Sequence, residues 1–271
     1  MAIFTQLNKY WRIVGTGLAF AMFGLGGLIL GNIWFSLIRL YYKDESKRRQ
    51  ASQRSISFCF RVFVKSLKCL RIIDYKIEGA EILQQDRGCL IIANHPTILD
   101  YVLIGSVLPE MDCVVKEALF HNPFCKTVVR CAGYIPNSAD PEKLLTACKE
   151  RLANGGKFLI FPEGTRTPMH ATELKLQRGA ANLAIRCAVP LRVVHICCEP
   201  MSLNRSMPWY KVPERKSFFY IKVQQLEPIT PYLVEGLPPS KAVRKLNHEL
   251  THILQPSIDM METTRSLSCK R

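Results

Sequence analysis

Acidic residues are scarce in this chain: 22 Asp and Glu stand against 37 Lys and Arg, a formal charge of +15. Such an excess favours a negatively charged partner surface. No nucleic-acid-binding motif accompanies it, which argues against nucleic acid and for anionic lipid or another acidic partner. The eleven cysteines form no paired CxxC and His pattern, so no zinc site is expected, and an odd count in apolar surroundings fits reduced thiols facing the cytosol. The Asn204-Arg-Ser206 sequon is then without consequence. No Ser or Cys sits at a recognisable nucleophile elbow, which removes the usual signature of a covalent intermediate.

Charge is also missing from Ile13 to Ile38. At ~1.5 Å per residue such a helix reaches roughly 39 Å, more than the ~30 Å of membrane hydrocarbon. Gly24, Gly26, Gly27 and Gly31 interrupt the run, so a bent or re-entrant hairpin is open beside a simple span. Lys9 and Arg12 precede it, and Arg39, Lys43, Lys47, Arg48 and Arg49 follow, which puts the heavier side and the domain beyond it in the cytoplasm. Residues 43–71 then carry nine Lys or Arg and two acids. There Ile56, Phe60, Phe63, Val64 and Leu67 recur at helical spacing among Arg54, Arg61, Lys65 and Lys68, as in a basic interfacial helix or a core helix with a solvated basic face.

Downstream the pattern alternates. Strands are expected near 88–93, 112–116, 157–161, 190–197 and 218–223, and helices near 97–108, 141–153, 178–187 and 240–254. This βα rhythm predicts an α/β fold with a mixed, largely parallel central sheet flanked by helices. The expected organisation is a membrane anchor and basic helix over 1–71, a catalytic domain over 72–255 and a disordered tail over 256–271. Residues 199–216 read as an irregular, Pro- and aromatic-rich loop.

Two short motifs carry the chemistry. Asn94-His95-Pro-Thr-Ile-Leu-Asp100 follows the apolar run Cys89–Ala93, and Phe161-Pro-Glu-Gly-Thr-Arg166 follows Phe158–Phe161. Polar groups just past strand carboxyl ends occupy the usual position of α/β sites. Pro96 suits the first helical position, and from there Asp100 can reach back to accept one imidazole N–H, leaving the other nitrogen of His95 as a base. The same residues also fit a local strand-end and cap arrangement. In the second motif Glu163, Gly164, Thr165 and Arg166 offer a carboxylate, close backbone approach, a hydroxyl and a bidentate anion binder.

At these residues the chain resembles the glycerolipid acyltransferase superfamily, whose best-known members are 1-acylglycerol-3-phosphate (lysophosphatidic acid) acyltransferases. His95 and Asp100 match its catalytic block, and Phe161 to Arg166 matches its acceptor-binding block without a substitution. Val115-Lys116-Glu117-Ala118-Leu119 and Cys187-Ala-Val-Pro190-Leu-Arg-Val-Val194 resemble two weaker blocks. One departure is chemical: Gly133-Tyr134-Ile135-Pro136-Asn137-Ser138 lacks the arginine with which that block usually ends, and Arg130, Lys116 and Arg166 are the nearby cations. His195 reads as a polar strand residue.

The resemblance implies transfer of an acyl group from acyl-CoA or acyl carrier protein to a lipid hydroxyl, most simply that of 1-acylglycerol-3-phosphate in phospholipid biosynthesis. His95 is the expected base and Asp100 its partner; Asn94, Lys116, Glu163, Gly164, Thr165 and Arg166 are expected around the substrate. No metal or resident cofactor is implied. The alternatives are a specialised acyltransferase for a non-phosphorylated acceptor, a lipid hydrolase and a non-catalytic lipid-binding protein.

Overall fold

The computed structural model describes residues 2–137, 140–169 and 173–269. The N-terminal apolar run is one continuous helical rod: α1 (Ala2–Ile29), a π-helical stretch (Leu30–Trp34) and α2 (Phe35–Tyr41). Of the two arrangements left open, the re-entrant hairpin is not seen: the helix continues through the glycines, and the chain reverses only after Tyr41. Nothing approaches the Cβ positions of Gly24, Gly26 or Gly27. At these sites a helical glycine costs only about 1 kcal/mol relative to alanine. Gly31 does serve a close approach, since a Cβ there would stand 3.3 Å from the Phe124 carbonyl oxygen.

The next helix, α3 (Glu45–Cys69), is capped by Asp44, whose side chain accepts from Lys47 N at 2.8 Å. It returns antiparallel to the rod and buries Ile56, Val64 and Leu67. Three of its basic residues are held by the protein: Arg54 pairs with Glu110, Lys68 with Asp74, and Arg61 donates to the Ser106 carbonyl. This is a core helix with a basic outer face.

The remainder runs β1 (Ile73–Glu78), α4 (Ala80–Gln85), β2 (Cys89–Ala93), α5 (Asp100–Val107), β3 (Val114–Lys116), α6 (Lys126–Cys131), β4 (Ile135–Asn137), α7 (Pro141–Ala153), β5 (Lys157–Ile160), α8 (Gly179–Cys187), β6 (Leu191–Glu199), β7 (Ser217–Glu227), α9 (Pro239–Ile253) and α10 (Ile258–Cys269). The main sheet has the order β1-β7-β6-β2-β5, parallel except for the β6–β7 pair. β3 and β4 form a parallel pair of their own, joined to β5 by an isolated bridge between Asp112 and Phe158. Strand β2 is buried along its whole length. Cys89, Ile91 and Ala93 face one core with α3 and α5, while Leu90 and Ile92 face another with α7, α8 and α9. That double burial is why β2 reads as an unbroken apolar run.

Two expectations are corrected. The helix after Pro96 begins at Asp100 rather than at the proline, because the Asp100 carboxylate closes residues 97–99 into a turn, accepting from Thr97 N at 2.7 Å and Thr97 Oγ1 at 2.6 Å. The tail expected to be disordered is helical over Ile258–Cys269, with Met260 packed among Cys197, Phe218 and Tyr220 of β6 and β7. Few apolar residues mark this helix, and only the tertiary surface beneath it discloses the burial. The N-terminal helices share the main core as well, since Ala19 and Val64 belong to the same cluster as Ile73 and Ile91.

Candidate active site

β2 and β5 are neighbouring parallel strands, so the loops after them open at the same end of the sheet. His95 follows β2 and Phe161 follows β5. The His95 Nδ1 lies 2.8 Å from Asp100 Oδ2. A carboxylate only accepts, so Nδ1 donates and Nε2 carries the lone pair. Asp100 is 0 % exposed and the His95 side chain 19 %. Burial pushes the Asp100 carboxyl up, and the donors from His95 and Thr97 oppose that shift. Phe161 stacks on the imidazole with ring centroids 4.1 Å apart, fixing the ring plane from the second motif. Among the described residues Nε2 meets no hydrogen-bond partner, so the arrangement is a buried acid, an oriented imidazole and an open basic nitrogen.

Glu163 does not point at a ligand. Its Oε1 accepts from His95 N at 2.8 Å and from Thr167 Oγ1 at 3.0 Å, and the residue is buried. Burial raises its carboxyl pKa against those hydrogen bonds. It ties the two motif loops together, a tie repeated where Thr167 N donates to the His95 carbonyl at 2.7 Å. Asn94 is likewise spent on structure: its amide exchanges two 2.8 Å hydrogen bonds with the backbone of Ile196 on β6. Asn94 and Glu163 are expected around the substrate; in the structure both amide atoms of Asn94 and Oε1 of Glu163 bond within the protein.

Gly164 adopts φ +68°, a conformation side chains resist, and stands exposed beside Thr165. The Thr165 hydroxyl accepts from Arg205 Nη1 at 2.8 Å. Arg166 donates through Nη1 to the Leu203 carbonyl at 3.1 Å and is partly exposed. Lys116 is exposed at the carboxyl end of β3. Arg130 donates to the Phe120 carbonyl on α6's own flank, away from both motifs in its bonding. Of the block lacking its usual arginine, Asn137 ends β4 exposed, and Ser138 lies outside the described residues.

The residue that sequence reasoning missed is Asn204. It is 1 % exposed, and its amide donates to the carbonyls of Pro96 (2.9 Å) and Thr167 (2.8 Å), one from each motif loop. Ile98 N adds a bond to the Leu203 carbonyl. The irregular segment 199–216 thus clamps both motifs from outside the sheet. The only local signal was the sequon, which suggests a surface position. His195, by contrast, is the strand residue expected, with Nε2 2.7 Å from the Ile253 carbonyl oxygen. Among the described residues no group of three or more His, Cys, Asp or Glu could hold a metal ion.

Residues 74–198 match the family model described as Acyltransferase. The human 1-acyl-sn-glycerol-3-phosphate acyltransferase beta is 30% identical over 135 residues, 48% of this chain and 48% of that protein. The Helicobacter pylori 1-acyl-sn-glycerol-3-phosphate acyltransferase is 28% identical over 149 residues, 53% of this chain and 58% of that one. The chain thus spans about half the length of the curated relatives it matches. The crystal structure of the 1-acyl-sn-glycerophosphate (LPA) acyltransferase of Thermotoga maritima superposes with a TM-score of 0.65 at 19% identity, covering 92% of this chain and 100% of that chain. At that identity the likeness is one of fold.

Proposed function

We propose that the chain, whose residues 74–198 match the family model described as Acyltransferase, belongs to the glycerolipid acyltransferase superfamily and moves a fatty acyl group from a thioester to a lipid hydroxyl, with 1-acylglycerol-3-phosphate the acceptor. The carrying observation is the 2.8 Å bond from His95 Nδ1 to the fully buried Asp100, which leaves Nε2 as the ring nitrogen available to a substrate. The acceptor hydroxyl gives its proton to Nε2 as its oxygen bonds to the thioester carbonyl carbon. The tetrahedral intermediate then expels the thiolate, which takes the proton back from the imidazolium. Asp100 stabilises that imidazolium, as a carboxylate held without water can. Arg166 and Lys116 are the cations offered to an anionic acceptor, and a backbone N–H or Lys116 serves the oxyanion. The donor is acyl-CoA or acyl carrier protein.

Membrane lipids are the proposed surface of action. The rod Gln6–Tyr41 has a mean hydropathy of 2.0 and only 17% of its apolar window buried. Arg12, Thr16 and Ala19 are buried against the domain, whereas Leu7, Val14, Leu18, Leu25 and Ile29 stand exposed along the opposite side. One face spent on protein and one left apolar suits a helix lying in the cytoplasmic interface better than a free span.

The missing arginine after Gly133 favours a second reading, a non-phosphorylated acceptor. One experiment addresses both. Purified enzyme is given labelled acyl-CoA with 1-acylglycerol-3-phosphate or with its dephosphorylated counterpart. Product from the phosphorylated lipid, falling ~100- to ~10,000-fold in His95→Ala, is the expected result. Near-normal turnover by that variant would overturn the mechanism, and product from the dephosphorylated lipid alone would replace the acceptor.

A further inference from the structure

Away from the His95 loops, α2, α3 and α6 enclose an open cleft of about 650 Å³. Arg39, Arg48, Lys126 and Arg130 line it together with His121, and no lining residue is a carboxylate. Elsewhere several cations find acids: Arg54 pairs with Glu110, Arg186 with Glu142 and Arg192 with Asp86. Among the described residues no Asp or Glu forms a salt bridge with Arg39, Arg48 or Lys126. Like charges facing one concavity repel, and low-dielectric walls concentrate their field on whatever anion enters.

Beside these cations the cleft has apolar surface: Phe120 lines it, and Phe124 stands exposed between His121 and Lys126. A small soluble anion gains nothing from those side chains, whereas an amphiphile gains from cations and apolar surface together. We propose that this cleft binds the phosphate headgroup of an anionic membrane phospholipid, with the acyl chains against Phe120 and Phe124. The site is separate from the acceptor position at His95 and does not depend on the reaction proposed there. It sits at the carboxyl end of the apolar stripe of α1, so a bound headgroup pins the rod at that end and sets how the domain lies on the bilayer.

The test compares full-length protein carrying Arg39→Gln, Arg48→Gln and Lys126→Gln with a control carrying Lys149→Gln, Lys241→Gln and Arg244→Gln, three exposed cations on α7 and α9. Each is titrated in cosedimentation with vesicles of phosphatidylcholine, and with phosphatidylcholine containing about one-fifth phosphatidic acid. A basic residue near an anionic surface contributes roughly fivefold in binding. The cleft variant is therefore expected to lose roughly 100-fold of the affinity gained from phosphatidic acid, with binding to neutral vesicles unchanged and the control losing far less. Arg39→Gln and Lys126→Gln singly, each losing about fivefold, keep the test available where the triple variant does not fold. Equal losses in cleft variant and control would reduce the effect to net charge and overturn the proposal. Millimolar glycerol phosphate should leave vesicle binding nearly intact; complete displacement would make the ligand a free phosphate ester. Unchanged vesicle binding with lost binding to purified acyl carrier protein would reassign the cleft to an acidic protein.

Discussion

His95 and Asp100 are five residues apart and meet through a turn built by the acid itself, so the imidazole and its own positioning arise from one short segment. The support around them comes from far along the chain. Asn204 donates to both motif loops from a buried site, and Asn204→Ala leaves two carbonyls without partners. A buried acceptor stripped of its donor costs about 1–3 kcal/mol, so the variant should melt several degrees lower and lose turnover as the loops loosen. Calorimetry beside the acyl-transfer assay checks this; unchanged melting and rate would show that the clamp contributes nothing. A second residue-scale expectation follows from His195. Burial lowers its pKa, with Lys222 acting in the same direction and the Ile253 carbonyl opposing. The native state thus binds this proton less readily than the unfolded chain. The stabilising contribution is complete above the ordinary value of about 6.5 and is lost as pH falls through that value toward the depressed one. His195→Gln should flatten the decline in melting temperature as pH falls below about 6.5, and an identical decline in both proteins would show that other groups cause it.

At the scale of elements, the N-terminal rod has two faces with different obligations. Ala19 sits in the main core, and Arg12 donates to the carbonyls of Pro213 and Glu214. Trp209 lies against Gly17 and Phe20. Deleting the rod would therefore uncover core as well as remove an anchor. Changing only the outer face separates the two roles. Leu18→Glu, Leu25→Glu and Ile33→Glu replace side chains that are 58%, 60% and 61% exposed. Each removes about 1.5–3 kcal/mol of potential burial in lipid. Fractionation should find the triple variant folded and released from membranes; full retention would place the attachment on another element. α10 teaches the complementary lesson, since a polar-looking tail is held by one methionine seated on β6 and β7.

On the whole-molecule scale, apolar and electrostatic attachment respond differently to salt. The formal charge of +15 acts over a screening length of about 10 Å at 0.1 M salt and about 3 Å at 1 M. Binding to anionic vesicles should weaken markedly between those conditions and settle at the level seen with neutral vesicles, which salt barely changes. Residual binding above that level in 1 M salt would mean that the extra affinity is not electrostatic. All eleven cysteines are free thiols in the structure. Cys89, Cys113, Cys148 and Cys198 have pKa values pushed up to about 12 by burial, so these serve as small apolar side chains.

The central parallel strands, the helix α7 and the pairing of His95 with Asp100 were legible in the sequence because each depends on neighbours along the chain. Buried strands need apolar runs, Asp140 and Pro141 start a helix wherever they stand, and a five-residue spacing brings acid to imidazole through one turn. β1, β4 and α10 were not legible, since their burial is created by partners far away in sequence, such as β7 beneath β1 and Tyr220 beneath Met260. For the same reason the hydrogen-bond partners of Asn94 and Glu163 were visible only in the tertiary structure. A polar side chain beside a catalytic residue looks alike whether it faces substrate or backbone, and only the packed fold determines which hydrogen-bond partner lies within 3 Å.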